Sequence, residues 1–348
     1  MSFASNPCRG AACLPPGGGK LRPYQTQPGA VLVFAAMSSD ASATPALRCR
    51  GLVKRFADVT AVDGLDLTIE SGECFGLLDP NGAGKTTTIE ILEGLTEPDA
   101  GEVEVLGRRW DEGERELRER LGISLQETQL NEKLTVGETV RLFASFYARG
   151  RDPESVLAEL SLTEKRDARV GKLSGGQKQR LAVACALVGS PEILFLDEPT
   201  TGLDPQSRRE LWEQIGRFRA TGGTVLLTTH YMDEAEKLCD RIAIVDKGKV
   251  IAHGTPRDLI SQLPSAYVVE IDTEPDLDAA VWQGFPGVEE VRRLGEVWSL
   301  AVSSLTATVP ELLDGVERAG ARLVHLSTHR ATLEDLFVAR TGRALRDE

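Results

Sequence analysis

The sequence lacks any apolar stretch approaching the 18 or more residues of a membrane-spanning helix; its longest candidates, 30–37 and 181–189, each hold fewer than ten. The chain is therefore not expected to cross a bilayer by itself. It is also short of basic residues, with 40 Lys and Arg against 53 Asp and Glu for a formal charge of −13. That balance disfavours sequence-independent binding to phosphate backbones or anionic lipid, so no nucleic-acid partner is expected. Cysteines are few and scattered: Cys8, Cys13, Cys49, Cys74, Cys185 and Cys239 include no C-x-x-C pair. A reduced, cytosolic setting with free and mostly buried thiols suits them better than a disulfide framework. What is present is an ordinary globular mixture, 41% hydrophobic and 27% charged, in 348 residues. Disordered, collagen-like and coiled-coil classes are excluded, and the length suits two domains.

Residues 1–36 contain no acidic residue, and with the short run AVLVFAAM they imitate a secretion signal. The imitation is poor, because Pro15-Pro16-Gly17-Gly18-Gly19 breaks a basic part that is already too long. Residues 1–46 read as a disordered tail, with Met37 a candidate initiator, and are set apart from the fold.

From Leu47 onward, short apolar runs alternate with helical stretches, the rhythm of a parallel α/β sheet. CFGLL (74–78), ILFL (193–196) and TVLLTT (224–229) suit strands buried on both faces. In such sheets ligands sit beyond the carboxyl ends of the strands, so three strand ends point at one crevice. After the first comes Asn81-Gly82-Ala83-Gly84-Lys85-Thr86-Thr87, leading into a helix that starts at about Lys85. Small residues let backbone N–H groups wrap phosphate oxygens at a helix N-terminus. Lys85 is expected to reach the β- and γ-phosphates, and the Thr86 hydroxyl to ligate Mg²⁺. A strict P-loop has glycine at the first position, where this chain has Asp79, followed by Pro80. A carboxylate about 7 Å from a phosphate charge costs roughly 0.6 kcal/mol at water-like screening and about 2.4 kcal/mol at an effective dielectric near 20.

The second strand end gives Asp197, which can hold Mg²⁺ through water, and Glu198, the expected general base for the water attacking the γ-phosphorus. At the third, His230 can hydrogen-bond the γ-phosphate. Gln126 follows another apolar run and can reach the metal or the attacking water. Ser174-Gly175-Gly176-Gln177 opens a helix with Leu181, Ala184, Cys185 and Val188 on one face, a second anion-binding terminus. With one phosphate cradle in the chain, a second copy is expected to supply the other half of each site.

Phe56, NGAGKTT (81–87), Gln126, LSGGQ (173–177), ILFLDEP (193–199), GLD (202–204) and His230 stand in the order and approximate spacing of an ATP-binding-cassette ATPase domain, which the chain resembles over about residues 47–262. The resemblance implies a P-loop cassette with a mixed or parallel sheet and a helical subdomain, ATP and Mg²⁺ as ligands, and ATP hydrolysis. It further implies that Phe56 stacks on adenine, that Ser174 to Gln177 contact the γ-phosphate held by the opposite subunit, and that Asp204 lies at the dimer contact. Asp79 departs from the family pattern and puts normal affinity and turnover in question.

Residues 263–348 carry runs at 267–271, 288–294, 297–303 and 322–327 and helical patterns at 276–283 and 308–319, a β-α-β-β-α-β accessory module. Its ending, ATLEDLFVARTGRALRD, is similar to the extension of drug-resistance cassette subunits of the daunorubicin-exporter kind. That likeness implies a peripheral protein on the cytoplasmic face of the membrane, dimeric with itself or a paralogue. It would energise export of a drug or antibiotic through a separate integral-membrane permease. A nucleotide-binding regulator whose hydrolysis Asp79 impairs is the alternative. A ribosome-acting ATPase would carry two cassettes, and a chromosome-organising one a long coiled coil between Lys85 and Ser174; the sequence has neither.

Overall fold

The computed structural model describes residues 44–78, 84–126 and 128–341. Along the chain come β1 (Leu47–Phe56), β2 (Val59–Ile69), β3 (Cys74–Leu78), α1 (Lys85–Leu92), β4 (Ala100–Val105), α2 (Trp110–Arg120) and β5 (Leu121–Ser124). Next are α3 (Val136–Ala144), α4 (Pro153–Glu159), α5 (Gly175–Leu187), β6 (Ile193–Asp197), α6 (Pro205–Ala220), β7 (Thr224–Thr229), α7 (Met232–Leu238), β8 (Arg241–Asp246), β9 (Lys249–Gly254) and α8 (Pro256–Ile260). The last part holds β10 (Tyr267–Glu274), α9 (Ala279–Gln283), β11 (Val288–Leu294), β12 (Val297–Val302), α10 (Leu305–Arg318), β13 (Arg322–Arg330) and α11 (Leu333–Thr341).

The strands β3, β6 and β7 are continuously apolar because successive side chains enter two different cores. Leu194, Leu196, Val225 and Leu227 join the core under α5, α6 and α7. Ile193, Phe195 and Leu226 point the other way, into the core shared with α1 and the first strands. Each fully buried side chain of this kind contributes about 1.5–3 kcal/mol. The six-stranded sheet has the order β5-β6-β7-β3-β8-β9, parallel except for β9. β6, β7 and β3 are thus neighbours, and their carboxyl ends lie side by side as expected.

Two features differ from the sequence expectation. Residues 47–69 do not join the parallel rhythm: β1 pairs antiparallel with both β2 and β4 in a separate three-stranded sheet. And α5 is not buried on one face only; every residue from Leu181 to Leu187 is buried, because β5 and β6, α3, α4 and α6 surround it.

The C-terminal sheet, order β11-β12-β10-β13, is antiparallel throughout. Val269, Ile271, Leu300 and Val302 pack with Trp282 of α9 and Leu312 and Val316 of α10 in a core of their own. α11 then returns to the larger core, where Leu333, Leu336 and Phe337 are buried against α7 and α8. The four described cysteines, Cys49, Cys74, Cys185 and Cys239, are free and buried. Among the described residues no helix is long and apolar enough to cross a membrane.

Candidate active site

The site begins where β3 hands over to α1. Asp79, Pro80, Asn81, Gly82 and Ala83 lie outside the described residues. Gly84 caps α1 with φ 96°, and a Cβ built there would stand 1.9 Å from the carbonyl oxygen of Ala61. Conformation and space both demand glycine. The next residue, Lys85, is the first of α1 and is buried, while Thr86 beside it is exposed and Thr87 half-buried. The first turn of α1 carries no acidic side chain, so no carboxylate of its own offsets the positive end of the helix.

Lys85 meets Glu198 across the sheet, Nζ to Oε1 at 2.7 Å. On the other carboxylate oxygen, Oε2, three donors converge: Gln126 Nε2 at 3.2 Å, the Thr201 hydroxyl at 3.1 Å and His230 Nδ1 at 3.1 Å. Glu198 is only 8% exposed. Its backbone takes the left-handed conformation, φ 45°, which costs a non-glycine residue of order 1 kcal/mol and is typical of functional positions. The strain is held by the Glu198 N–H, which donates to both the carbonyl (3.2 Å) and the hydroxyl (2.9 Å) of Thr228 on β7. The His230 hydrogen bond, and then Lys85, bring the Glu198 pKa down from 4.5 to about 2, against the upward pull of burial. Asp197, also buried, accepts from the Thr228 hydroxyl.

Lys85, Gln126, Glu198 and His230 are therefore brought together, with Asp197 one residue away. Thr201 and Thr228 were not identified from sequence. A signal existed for Thr228, since a threonine inside an otherwise apolar buried strand has to bond something.

The other expected residues stand apart from this cluster. Phe56, at the end of β1, is 48% exposed, with Lys54 Nζ 5.5 Å from its ring centroid. Ser174 and Gln177 form a capping box at the start of α5. The Ser174 hydroxyl accepts from Gln177 N at 3.3 Å, and Ser174 N donates to Gln177 Oε1 at 3.1 Å. At Gly176 a Cβ would lie 2.5 Å from the Ser207 hydroxyl, so a larger residue there would have to displace Ser207. Gly175 has open space around it, so nothing within the chain requires glycine at that position. Asp204 caps α6, accepting from Gln206 N, Ser207 N and the Ser207 hydroxyl; these bonds hold its pKa below the ordinary carboxylate value.

The donor set suits a phosphate–Mg²⁺ ligand. An exposed hydroxyl (Thr86), an amide (Gln126) and one buried carboxylate (Asp197) are hard oxygen donors, too few for an all-protein cage. Among the described residues no group of three or more His, Cys, Asp or Glu can hold a metal. Mg²⁺ bound by one or two protein groups and completed by phosphate oxygens matches that arrangement.

Comparison with known proteins gives a consistent result. The profile of the family described as ABC transporter matches residues 62–201. A Nod factor export ATP-binding protein I of Ralstonia nicotianae is 41% identical over 313 residues, 87% of this chain and 96% of that protein. Its namesake in Burkholderia pseudomallei is 43% identical over 300 residues, covering 84% and 96%. Among solved structures, an ATP-binding subunit of an ABC transporter superposes with TM-score 0.58 at 31% identity, over 63% of this chain and 93% of its own. A dimeric ATP-binding cassette bound to ADP and Pi gives 0.55 at 26% identity, over 60% and 98%.

Proposed function

Because this chain belongs to the ABC transporter family of ATP-binding subunits, we propose that it hydrolyses ATP as one half of a head-to-tail dimer and drives export through a separate integral-membrane permease. The observation that carries the hydrolytic part is the convergence of Lys85, Gln126, Thr201 and His230 on the Glu198 carboxylate at the carboxyl ends of adjacent strands. In this reading residues 79–83 and the N-terminus of α1 cradle the phosphates, Lys85 neutralises the β- and γ-phosphates, and Phe56 lies under the adenine. Glu198 takes the proton of the attacking water, and His230 holds the γ-phosphate side of the site. Thr86, Gln126 and Asp197 would hold Mg²⁺, which would supply charge neutralisation at the phosphates. Lys85 has to exchange Glu198 for phosphate oxygen before Glu198 is free to act.

Dimerisation is supported by the open space at Gly175 and the exposure of Ser174 and Asp204. These groups make their own local bonds and stand ready for a γ-phosphate and a partner subunit, a second copy or a paralogue. Exposed Leu125, Leu142 and Phe146, on and after the Gln126 loop, offer an apolar surface for the permease. Such docking places the chain on the cytoplasmic face of the membrane, as a cassette at 47–262 with an accessory module at 263–348. Relatives named for Nod factor export favour the outward direction. A drug or antibiotic cargo rests on the likeness of the C-terminal ending alone.

Asp79 in place of the P-loop glycine favours one other reading, a nucleotide-binding regulator with crippled hydrolysis. Turnover of the purified chain beside Asp79→Gly separates the two: equal, substantial rates remove the regulator. Glu198→Gln should abolish turnover and accumulate ATP-bound dimers in size-exclusion chromatography with Mg-ATP. Wild-type turnover in that variant refutes the hydrolytic assignment, and monomers only, at saturating Mg-ATP, refute the dimer.

A further inference from the structure

His230 sits past the end of β7, so no strand packing fixes its imidazole, yet Nδ1 is aimed at Glu198 Oε2. Its ring is covered by its sequence neighbour: the centroids of His230 and Tyr231 are 4.0 Å apart with the planes tilted by 42°. Tyr231 is in turn covered by the Arg208 guanidinium, 4.3 Å from the phenol centroid. The Tyr231 backbone is tied down by its N–H, which donates to the Thr229 hydroxyl at 2.9 Å. Arg208 belongs to α6, whose N-cap is Asp204. The stack Arg208–Tyr231–His230 therefore bridges the two segments that leave the site, the one after β6 and the one after β7.

We propose that Tyr231 is a positioning residue for hydrolysis, holding the His230 imidazole in register with Glu198, and that Arg208 clamps it from α6. The inference rests on the assignment of Glu198 and His230 to ATP hydrolysis. Three features support it. Arg208 stands at the separation of a cation over a π face, and the two rings, 4.0 Å apart, are in direct contact, closer than the roughly 4.5–7 Å of most aromatic pairs. Tyr231 is half-buried and its phenol ring bears on the histidine. And Arg208 reaches it from the helix that Asp204 caps, so a shift of the Asp204 loop is passed through the stack to His230. Tyr231 itself touches no reacting atom; it works through the histidine.

The test is a double-mutant cycle on the full chain, with steady-state ATP turnover as the readout. Tyr231→Ala should lower kcat about 3- to 10-fold, the range carried by one aromatic pair, while KM for ATP stays within about twofold. Tyr231→Phe, which keeps the ring, should restore the wild-type rate. On a His230→Ala background Tyr231→Ala should cost nothing further, because the residue it positions is gone. An unchanged kcat in Tyr231→Ala, no rescue by Phe, or a full additional loss in the double variant overturns the inference while leaving the hydrolytic assignment of His230 intact. A His230→Ala variant that turns over at the wild-type rate overturns that assignment, and this inference with it.

Discussion

Glu93, the residue that follows α1, is 1% exposed, and neither of its carboxylate oxygens has a hydrogen-bond partner among the described residues. Burial is the main reason its pKa rises from 4.5 to about 8; the nearby Asp197 and Glu90 carboxylates add to it. A negative charge at a helix C-terminus also opposes the helix dipole. The folded state holds this proton more tightly than the unfolded one. Protonated Glu93 is therefore fully accommodated below pH 4.5, and stability is lost as the pH rises toward 8. At 1.36 kcal/mol per unit, the loss amounts to about 1 kcal/mol at pH 5, about 3 kcal/mol at pH 7 and about 4 kcal/mol at pH 8. Glu93→Gln removes the titration at nearly constant volume. Relative to wild type it should gain about 2–3 kcal/mol between pH 5 and pH 7, or roughly 5 °C in Tm for a domain of this size. Nucleotide-free melting curves of both proteins at half-unit steps from pH 5 to 8.5 measure this. The slope carries the test, since any difference in how the amide and the acid are satisfied does not vary with pH. A Tm difference that stays constant over that range refutes the assignment of a proton to Glu93.

The ion pair at Glu198 predicts the opposite sign. Its folded pKa, about 2, lies below 4.5, so its contribution is present above pH 4.5 and is lost as the pH falls toward 2. Nucleotide-free Glu198→Gln should melt below wild type at pH 7, by about 2–3 kcal/mol, with the gap closing in acid; a gap that widens below pH 4.5 counts against the pairing. Gly84→Ala drives a methyl into the Ala61 carbonyl and forces φ 96° on an alanine, so it should cost about 3 kcal/mol or more in urea denaturation and weaken ATP binding; a loss under 1 kcal/mol means the turn can relax. Ser174→Ala removes an exposed capping box and should lower stability by only about 1 kcal/mol while reducing turnover much more; parallel small losses in both would leave Ser174 a cap and nothing else.

The parts of the fold that could be read from the sequence are those whose residues have one environment. β3, β6 and β7 are buried on both faces, so their runs are unbroken and their polar ends mark the site. The β-α-β-β-α-β order of residues 267–330 was legible because short apolar runs alternate with helical stretches and Gly287, Gly295 and Gly320 mark the turns between them. The antiparallel pair β1–β2 was not legible. Its two-residue turn is Ala57-Asp58, with Ala57 at φ 44° where a glycine or asparagine would have announced a hairpin. Irregular pairing between Cys49 and Val53, beside Gly51 at φ 56°, breaks the period of two, and Lys54 and Arg55 interrupt the apolar pattern. At the site, Lys85, Gln126, Glu198 and His230 could each be nominated from motif and strand position. Which atom faces which could not: that Thr228 holds both Asp197 and the Glu198 backbone, or that Tyr231 covers His230, follows from sheet register and a loop conformation that leave no trace in spacing.

That register has a chemical consequence for the order of events. A carboxylate whose pKa is about 2 is a weaker base than one at 4.5 by about 2.5 units, roughly 3 kcal/mol of proton affinity. With His230 hydrogen-bonded to it and Lys85 2.7 Å away, Glu198 is thus poorly suited to take a proton from water, and Lys85 is equally occupied. A phosphate oxygen competing for Lys85 relieves both at once: the ammonium gains a more highly charged partner, and the carboxylate recovers part of its basicity. If Glu198 is the base, as proposed, its competence is then tied in part to the presence of the nucleotide through Lys85. On this argument Lys85→Met should do more than weaken ATP binding. It should raise the Glu198 pKa, and this is measurable as a carboxyl stretch that titrates at higher pH than in wild type, with Glu198→Gln subtracted to identify the band. If that band does not move, the ion pair does not govern the base, and the His230 hydrogen bond alone sets its pKa.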